Sequence, residues 1–206
     1  MLPSEAEINQ LTLRFLENKI QRDPEDFIAQ NKLAGYYLQQ LRETSDVTYL
    51  KLASRAANTS LGTLPPERNI GGLAALTQVE FASHEFVSAR DHARRLAQLE
   101  PEKAFPYQLS GDALLELGEY EEAKVEFGKM VRFGGTHGVT RVAVEERMAR
   151  LAALRGDLDT ALRRYGAALT EALNLPAPSR ETVAWCRETP ASSWSYRNRT
   201  FPPKSP

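Results

Sequence analysis

The chain has 206 residues, of which 42% are hydrophobic and 26% are charged, and its formal net charge is −1. This composition is typical of a folded protein and excludes a globally disordered chain. The near-zero net charge provides no whole-molecule field that would attract nucleic acid or an anionic membrane, so neither is expected as a partner.

The first residues have neither the basic segment nor the apolar segment of a secretory signal. No stretch approaches the roughly 18 to 20 apolar residues needed to cross a bilayer. The one cysteine, Cys186, excludes an intramolecular disulfide and fits a reducing compartment. We therefore expect a cytoplasmic protein, although a chain whose leader had been removed would look the same.

The first predicted element is a helix over residues 8–21. Its apolar side chains Ile8, Leu11, Phe15 and Ile20 recur at helical spacing. We expect this face to cover the open end of the structure that follows, as the atypical end element of a repeat array does.

The rest of the chain repeats itself with a period of 34 to 38 residues. Each copy of the pattern combines small residues with bulky apolar ones and closes with Pro or Gly in most copies. In chain order the members are Ala53, Ala57, Ser60 and Pro65, then Phe86, Ala89, Ala93, Leu96 and Pro101, then Tyr120, Ala123, Phe127, Met130 and Gly135, then Leu158, Ala161, Tyr165 and Ala168. Four copies in register indicate an array of similar structural units.

The third copy resembles the tetratricopeptide repeat family most closely, with Tyr107, Gly111 and the segment LLELGEYEEA from Leu114 to Ala123. The resemblance implies an all-α fold, a right-handed α-solenoid of antiparallel helix pairs with about four repeats and an N-terminal capping helix. The boundaries that it implies are a capping helix in 1–25 and repeats within 26–178, at approximately 26–66, 69–103, 104–138 and 140–176.

Small residues are predicted where paired helices approach most closely. They are Ala34, Gly111 and Ala149 in first helices, and Ala53, Ala89, Ala123 and Ala161 in second helices. Gly118-Glu119 and Gly156-Asp157 are predicted to form the turns inside the third and fourth hairpins.

The C-terminal segment, 179–206, begins as a fifth repeat around Trp185 and then loses the pattern, because Pro190 would break the helix. Two interpretations remain open. One is a disordered Ser/Arg/Pro-rich tail in which Trp194, Tyr196 and Phe201 are docking points. The other is that the native array continues and that this tail is out of frame or foreign.

No combination of residues predicts catalysis, a metal site or a cofactor, so we expect no enzyme. The glycine-rich segment 134–138 lacks the Gly-Lys-Ser/Thr ending of a phosphate loop and is predicted to be a turn between repeats. His84, His92 and His137 have no ligand spacing, and His92 is predicted to lie on an exposed helix face. Cys186 has no histidine nearby in the sequence that would activate it.

In proteins of the resembled family the first helices line a concave groove. The positions that this resemblance assigns to the groove mix amides, charges and aromatic rings, which suits an extended or helical peptide segment. They are Asn31, Gln39, Gln78, Phe81, Phe105, Gln108, Asp112, Glu116, Glu146 and Arg150.

The resulting functional prediction is a protein-protein interaction scaffold or adaptor whose partner the sequence does not name. The groove positions lack the lysines with which some tetratricopeptide proteins clamp a chaperone C-terminal carboxylate, so that clamp is not expected. The alternative is an N-terminal fragment of a longer protein, which would serve as a regulatory or substrate-recruiting arm of an enzyme or assembly machine.

Overall fold

The computed structural model describes residues 5–134, 138–176 and 183–184, and these form helices joined by short turns. The predicted all-α fold class is confirmed: no strand occurs within these ranges. The beginning of a fifth repeat at Trp185, the tail after it, His137 and Cys186 lie outside the described residues. The helices are α1 (Glu5–Arg22), α2 (Phe27–Thr44), α3 (Thr48–Thr63), α4 (Ile70–Ala82), α5 (Phe86–Leu99), α6 (Ala104–Glu116), α7 (Tyr120–Gly134), α8 (Gly138–Leu154) and α9 (Leu158–Leu173).

The chain divides into two compact units, residues 1–102 and residues 103–206. In the first unit, helix α2 pairs with α3 and α4 pairs with α5, and α1 packs against α2. In the second unit, α6 pairs with α7 and α8 pairs with α9. No described helix is both long enough and apolar enough to traverse a lipid bilayer.

The residues predicted at the closest helix contacts are all buried. Ala34, Ala53, Ala123, Ala149 and Ala161 have no exposed surface, and Ala89 is also buried. Small side chains allow the two backbones of a hairpin to approach each other, and larger neighbours then fill the remaining space.

Gly111 shows why one of these positions needs the smallest side chain. A Cβ atom added there would lie 2.3 Å from Cε1 of Phe127. The fully buried ring of Phe127 therefore packs directly on the backbone of α6. The turns inside the two hairpins of this unit place Gly118 at φ +79° and Gly156 at φ +82°, a left-handed conformation in which glycine carries no Cβ penalty.

The prediction for the packing face of the N-terminal helix was right for Ile20 and wrong for its other three apolar residues. Ile8, Leu11 and Phe15 are exposed, at 48%, 60% and 64%. The buried side chain is Leu16, which joins the core of the first unit together with Leu13 and Ile20. The helix has two apolar stripes, and contact with α2 buries the stripe that contains Leu16. In this contact the hydroxyl of Tyr37 donates a hydrogen bond to Glu17 at 2.9 Å.

Candidate functional site

Asn31, a predicted groove residue on α2, takes part in a hydrogen-bond network inside the first unit. Its amide nitrogen donates to Oδ1 of Asn69 at 2.8 Å, and its carbonyl oxygen accepts from the hydroxyl of Ser60 at 2.5 Å. Asn69 donates in turn to Ser60, and its Oδ1 accepts from the backbone N–H of Gly72 to cap α4. Both polar ends of the Asn31 side chain therefore hold α2, α3 and α4 together.

The other predicted residues of the first unit are half-buried. Gln39 donates to the carboxylate of Glu43 on the same helix, and Gln78 donates to the carbonyl oxygen of Ala74. Phe81 packs edge-on against Phe86, with ring centroids 5.4 Å apart. These contacts fix Phe81 at the turn that joins α4 to α5.

In the second unit, α6 and α8 are joined by a bidentate ion pair between Asp112 and Arg147. Nε and Nη2 of Arg147 donate to the two carboxylate oxygens at 2.8 and 2.7 Å, and Nη1 donates to the carbonyl oxygen of Ala143. Both side chains are mostly buried, with 17% and 19% of their surface exposed. Burial raises the pKa of Asp112, while the Arg147 guanidinium opposes this effect by favouring the charged carboxylate.

A second ion pair lies beside the first, where Nη2 of Arg150 donates to Glu116 at 2.5 Å. Further along the chain, Arg155 pairs with Glu121 in the same way. In each of these three pairs, the arginine follows its acidic partner by 34 or 35 residues, which is one repeat length. This spacing is the sequence signal that identifies Arg147, which the groove prediction missed.

Four predicted residues line one face of α6, because positions 105, 108, 112 and 116 are spaced as i, i+3, i+7 and i+11. Phe105 is 40% exposed at the start of this face, and Gln108 is half-buried next to it. On α8, Glu146 is half-buried beside Arg147. The structure thus brings Asp112, Glu116 and Arg150 together on one surface, which we call the α6–α8 surface, with Phe105 and Gln108 on the same face of α6.

No protein-family model matches the sequence, and no curated protein matches it either. Solved structures do resemble it. TTC0263, a tetratricopeptide repeat protein of Thermus thermophilus, superposes with a TM-score of 0.68 at 20% identity, over 89% of each chain. A chain of the Cut9–Hcn1 hetero-tetramer of the APC/C superposes with a TM-score of 0.75 at 15% identity, over 92% of this chain and 34% of that one.

The chain has the tetratricopeptide repeat fold. A tetratricopeptide repeat protein of Parabacteroides merdae adds a third match, with a TM-score of 0.57 at 17% identity, over 94% of this chain and 73% of that one. The sequence resemblance carried by the segment from Leu114 to Ala123 is therefore confirmed by structure. At these levels of identity the similarity concerns the fold.

The prediction that His92 lies on an exposed helix face was wrong. The residue makes a polar contact between α4 and α5. Its Nδ1 lies 2.8 Å from the carboxylate of Glu80, and 35% of the His92 side chain is exposed. Glu80 itself is buried. Burial raises the pKa of Glu80, and the hydrogen bond to His92 opposes the rise. The two residues are brought together by the turn at His84, where φ is +61°.

Among the described residues, no group of three or more His, Cys, Asp or Glu side chains is arranged to hold a metal ion. The polar contacts within the same ranges are hydrogen bonds and ion pairs, some within one helix and others between neighbouring helices.

Proposed function

We propose that this protein is a protein-interaction scaffold that binds a peptide or protein segment on the α6–α8 surface. The observation that carries the proposal is the alignment of an exposed aromatic ring, Phe105, with an amide and two carboxylates along one face of α6. Aromatic side chains supply much of the affinity at protein interfaces, and neighbouring polar groups supply specificity.

The ion pairs prepare this surface for binding. Arg147 holds both oxygens of Asp112, and Arg150 holds Glu116, so the acidic side chains are fixed before any partner arrives. Binding then costs less conformational entropy, because these side chains are already ordered in the free protein. Arg150, which remains 40% exposed, also offers donors to a carboxylate or carbonyl oxygen of the partner.

In the first unit, Gln39, Gln78 and Phe81 are proposed as contacts of the same kind. Asn31 is assigned a supporting role, because both ends of its amide are already bonded within the unit. Glu146 of the second unit is proposed as a charged contact at the edge of the α6–α8 surface.

The structural neighbours support an interaction role in general terms. The Cut9 structure is a hetero-tetramer with Hcn1, so a chain of this fold takes part in an assembly there. The comparisons give no support to the alternative of a regulatory arm. The proposed partner is a protein or peptide, and we propose neither a nucleic acid nor a membrane as a partner.

The test is an affinity pull-down from a lysate of the source organism with three versions of the chain. They are the wild type, the double variant Phe105→Ser with Gln108→Ala, and the control Val125→Ser. Val125 is 57% exposed on α7, so the control removes an apolar side chain that is at least as accessible as Phe105 from another helix. All three must show the same helical content by circular dichroism.

We expect a partner that is retained by the wild type and by the Val125→Ser control and is lost by the double variant. A partner retained equally by all three versions would contradict binding at the α6–α8 surface. The absence of any specific partner would contradict the scaffold function itself.

A further inference from the structure

A crevice in the second unit is lined by residues of α7 and α8 and by Arg164 of α9. It encloses a cavity of about 320 Å³ whose apolar lining is Phe127, Val131, Val144 and Met148. A second cavity of about 270 Å³ adjoins it and shares Lys124, Met148 and Arg164. The larger cavity is near the lower end of the range for ligand pockets, roughly 300 to 1,000 Å³, which suits an apolar side chain of a peptide.

Gly128 lines the larger cavity and is exposed to solvent. A Cβ atom added at this glycine would meet no atom within 4 Å. The glycine also costs helix α7 stability relative to alanine, by about 1 kcal/mol. A bulkier residue at position 128 would therefore meet no steric clash and would favour the helix, but it would narrow the cavity.

Cations outnumber acids in the lining of the larger cavity. Lys124, Arg141 and Arg164 line the larger cavity, and Glu145 is the one carboxylate in that lining. Arg164 donates to Glu145 at 2.9 Å, whereas Arg141 lies 3.9 Å from both Glu145 and Glu171.

Lys124 makes no ion pair with any side chain in the described parts of the chain. The side chain of Arg141 is 41% exposed. Lys124 on α7 and the partly exposed Arg141 on α8 thus both line the apolar cavity. This arrangement complements an anionic group that adjoins an apolar one.

We propose that this crevice binds an acidic peptide segment, with one apolar side chain in the cavity and carboxylates against Lys124 and Arg141. The site is separate from the α6–α8 surface, because it uses Val144, Glu145 and Met148 rather than the face of α8 that carries Arg147 and Arg150. It does not depend on the function proposed above. A nucleic acid is a poorer match, since an apolar floor and the carboxylate of Glu145 offer nothing to a phosphate backbone.

The test uses the full chain and fluorescence anisotropy with three labelled synthetic peptides. The first carries Leu-Phe between pairs of Glu, the second carries Leu-Phe between pairs of Lys, and the third carries Ser-Ser between pairs of Glu. We expect saturable binding of the first alone, because the crevice requires both the apolar side chain and the negative charge. Absence of saturable binding of the first peptide up to about 1 mM protein would overturn the proposal.

Two matched pairs of variants locate the binding. Gly128→Leu narrows the cavity, and its control is Gly166→Leu on α9, where an added Cβ also meets nothing within 4 Å. Lys124→Glu reverses a charge in the cavity lining, and its control is Arg163→Glu, an exposed cation on α9 that does not line either cavity.

We expect Gly128→Leu and Lys124→Glu each to weaken binding by roughly tenfold or more, while both controls bind as the wild type does. Equal effects of a variant and its control would overturn the assignment to the crevice. Vesicles of phosphatidylserine and phosphatidylcholine form the last arm. Vesicle binding that shows the same dependence on Gly128 and Lys124 would overturn the peptide proposal in favour of a lipid surface.

Discussion

Corresponding helices are joined by different chemistry in the two units. In the first unit, α2 and α4 are joined by uncharged side chains, through the hydrogen bond between Asn31 and Asn69. In the second unit, α6 and α8 are joined by the ion pairs Asp112–Arg147 and Glu116–Arg150. One fold thus joins neighbouring helices either with amide hydrogen bonds or with ion pairs.

The difference separates residues that are bonded within the fold from residues that we propose for binding. Asn69 is buried and bonds to Ser60, Asn31 and Gly72, so its side chain has a role in three elements at once. Glu116 and Arg150 keep 27% and 40% of their side chains exposed, so they can exchange contacts with a partner. Of the residues predicted for the groove, Glu116 and Arg150 are therefore better binding candidates than Asn31.

The largest expected effect is that of Asn69→Ala. The substitution removes the cap of α4 and leaves Ser60 and Asn31 without their shared partner. We expect the free energy of unfolding to fall by about 3 kcal/mol, the sum of a lost cap and an unsatisfied buried group. Urea denaturation followed by circular dichroism measures this loss, and Asn58→Ala, an exposed amide on α3, is the control. A loss equal to that of the control would refute a structural role for the amide network.

Asp112→Asn is expected to have the next largest effect, about 1 to 2 kcal/mol. The mostly buried guanidinium of Arg147 loses its charged partner, although the residual exposure of both side chains reduces the penalty. This loss should shrink when the salt concentration is raised from about 0.05 M to about 1 M, because ions screen the pair. The loss for Asn69→Ala should not change over the same range. Equal salt dependence in the two variants would contradict the distinction between the uncharged α2–α4 contact and the charged α6–α8 contact.

The smallest expected effect is that of Glu116→Gln, at about 0.5 kcal/mol or less. Ion pairs with this much exposure contribute little to stability. Its effect should appear in partner binding instead, measured by isothermal titration with the protein captured in the pull-down. A destabilisation as large as that of Asp112→Asn would show that Glu116 is structural.

The hairpins and their close contacts could be predicted from the sequence because they depend on local spacing. Ala123 and Gly111 are buried where the repeat pattern places them, and Gly118 forms the predicted turn. These positions require small or conformationally free residues, so the requirement is visible in the residue type.

The packing of α1 could not be predicted from spacing alone. Ile8, Leu11 and Phe15 follow the pattern i, i+3, i+7, and so do Leu13, Leu16 and Ile20. Only the surface that α2 presents determines which stripe is buried. The choice therefore depends on a tertiary contact that the pattern of one helix does not contain.

The pairing of polar side chains could not be predicted from the sequence either. His92 was assigned to solvent, but the turn between α4 and α5 brings it to Glu80, which is twelve residues earlier in the chain. Arg147 was missed although its spacing from Asp112 is one repeat length. Repeat spacing shows which residues can be neighbours, whereas the rotamers that complete an ion pair depend on the packed helices.

The most direct test of the proposed function is site-specific photo-crosslinking in the wild-type background. A photoreactive phenylalanine analogue is placed at position 105 in one version and at position 125 in another, and each is irradiated with the captured partner. We predict a covalent adduct from position 105 on α6 and none from position 125 on α7. An adduct from position 125 alone would contradict binding at the α6–α8 surface.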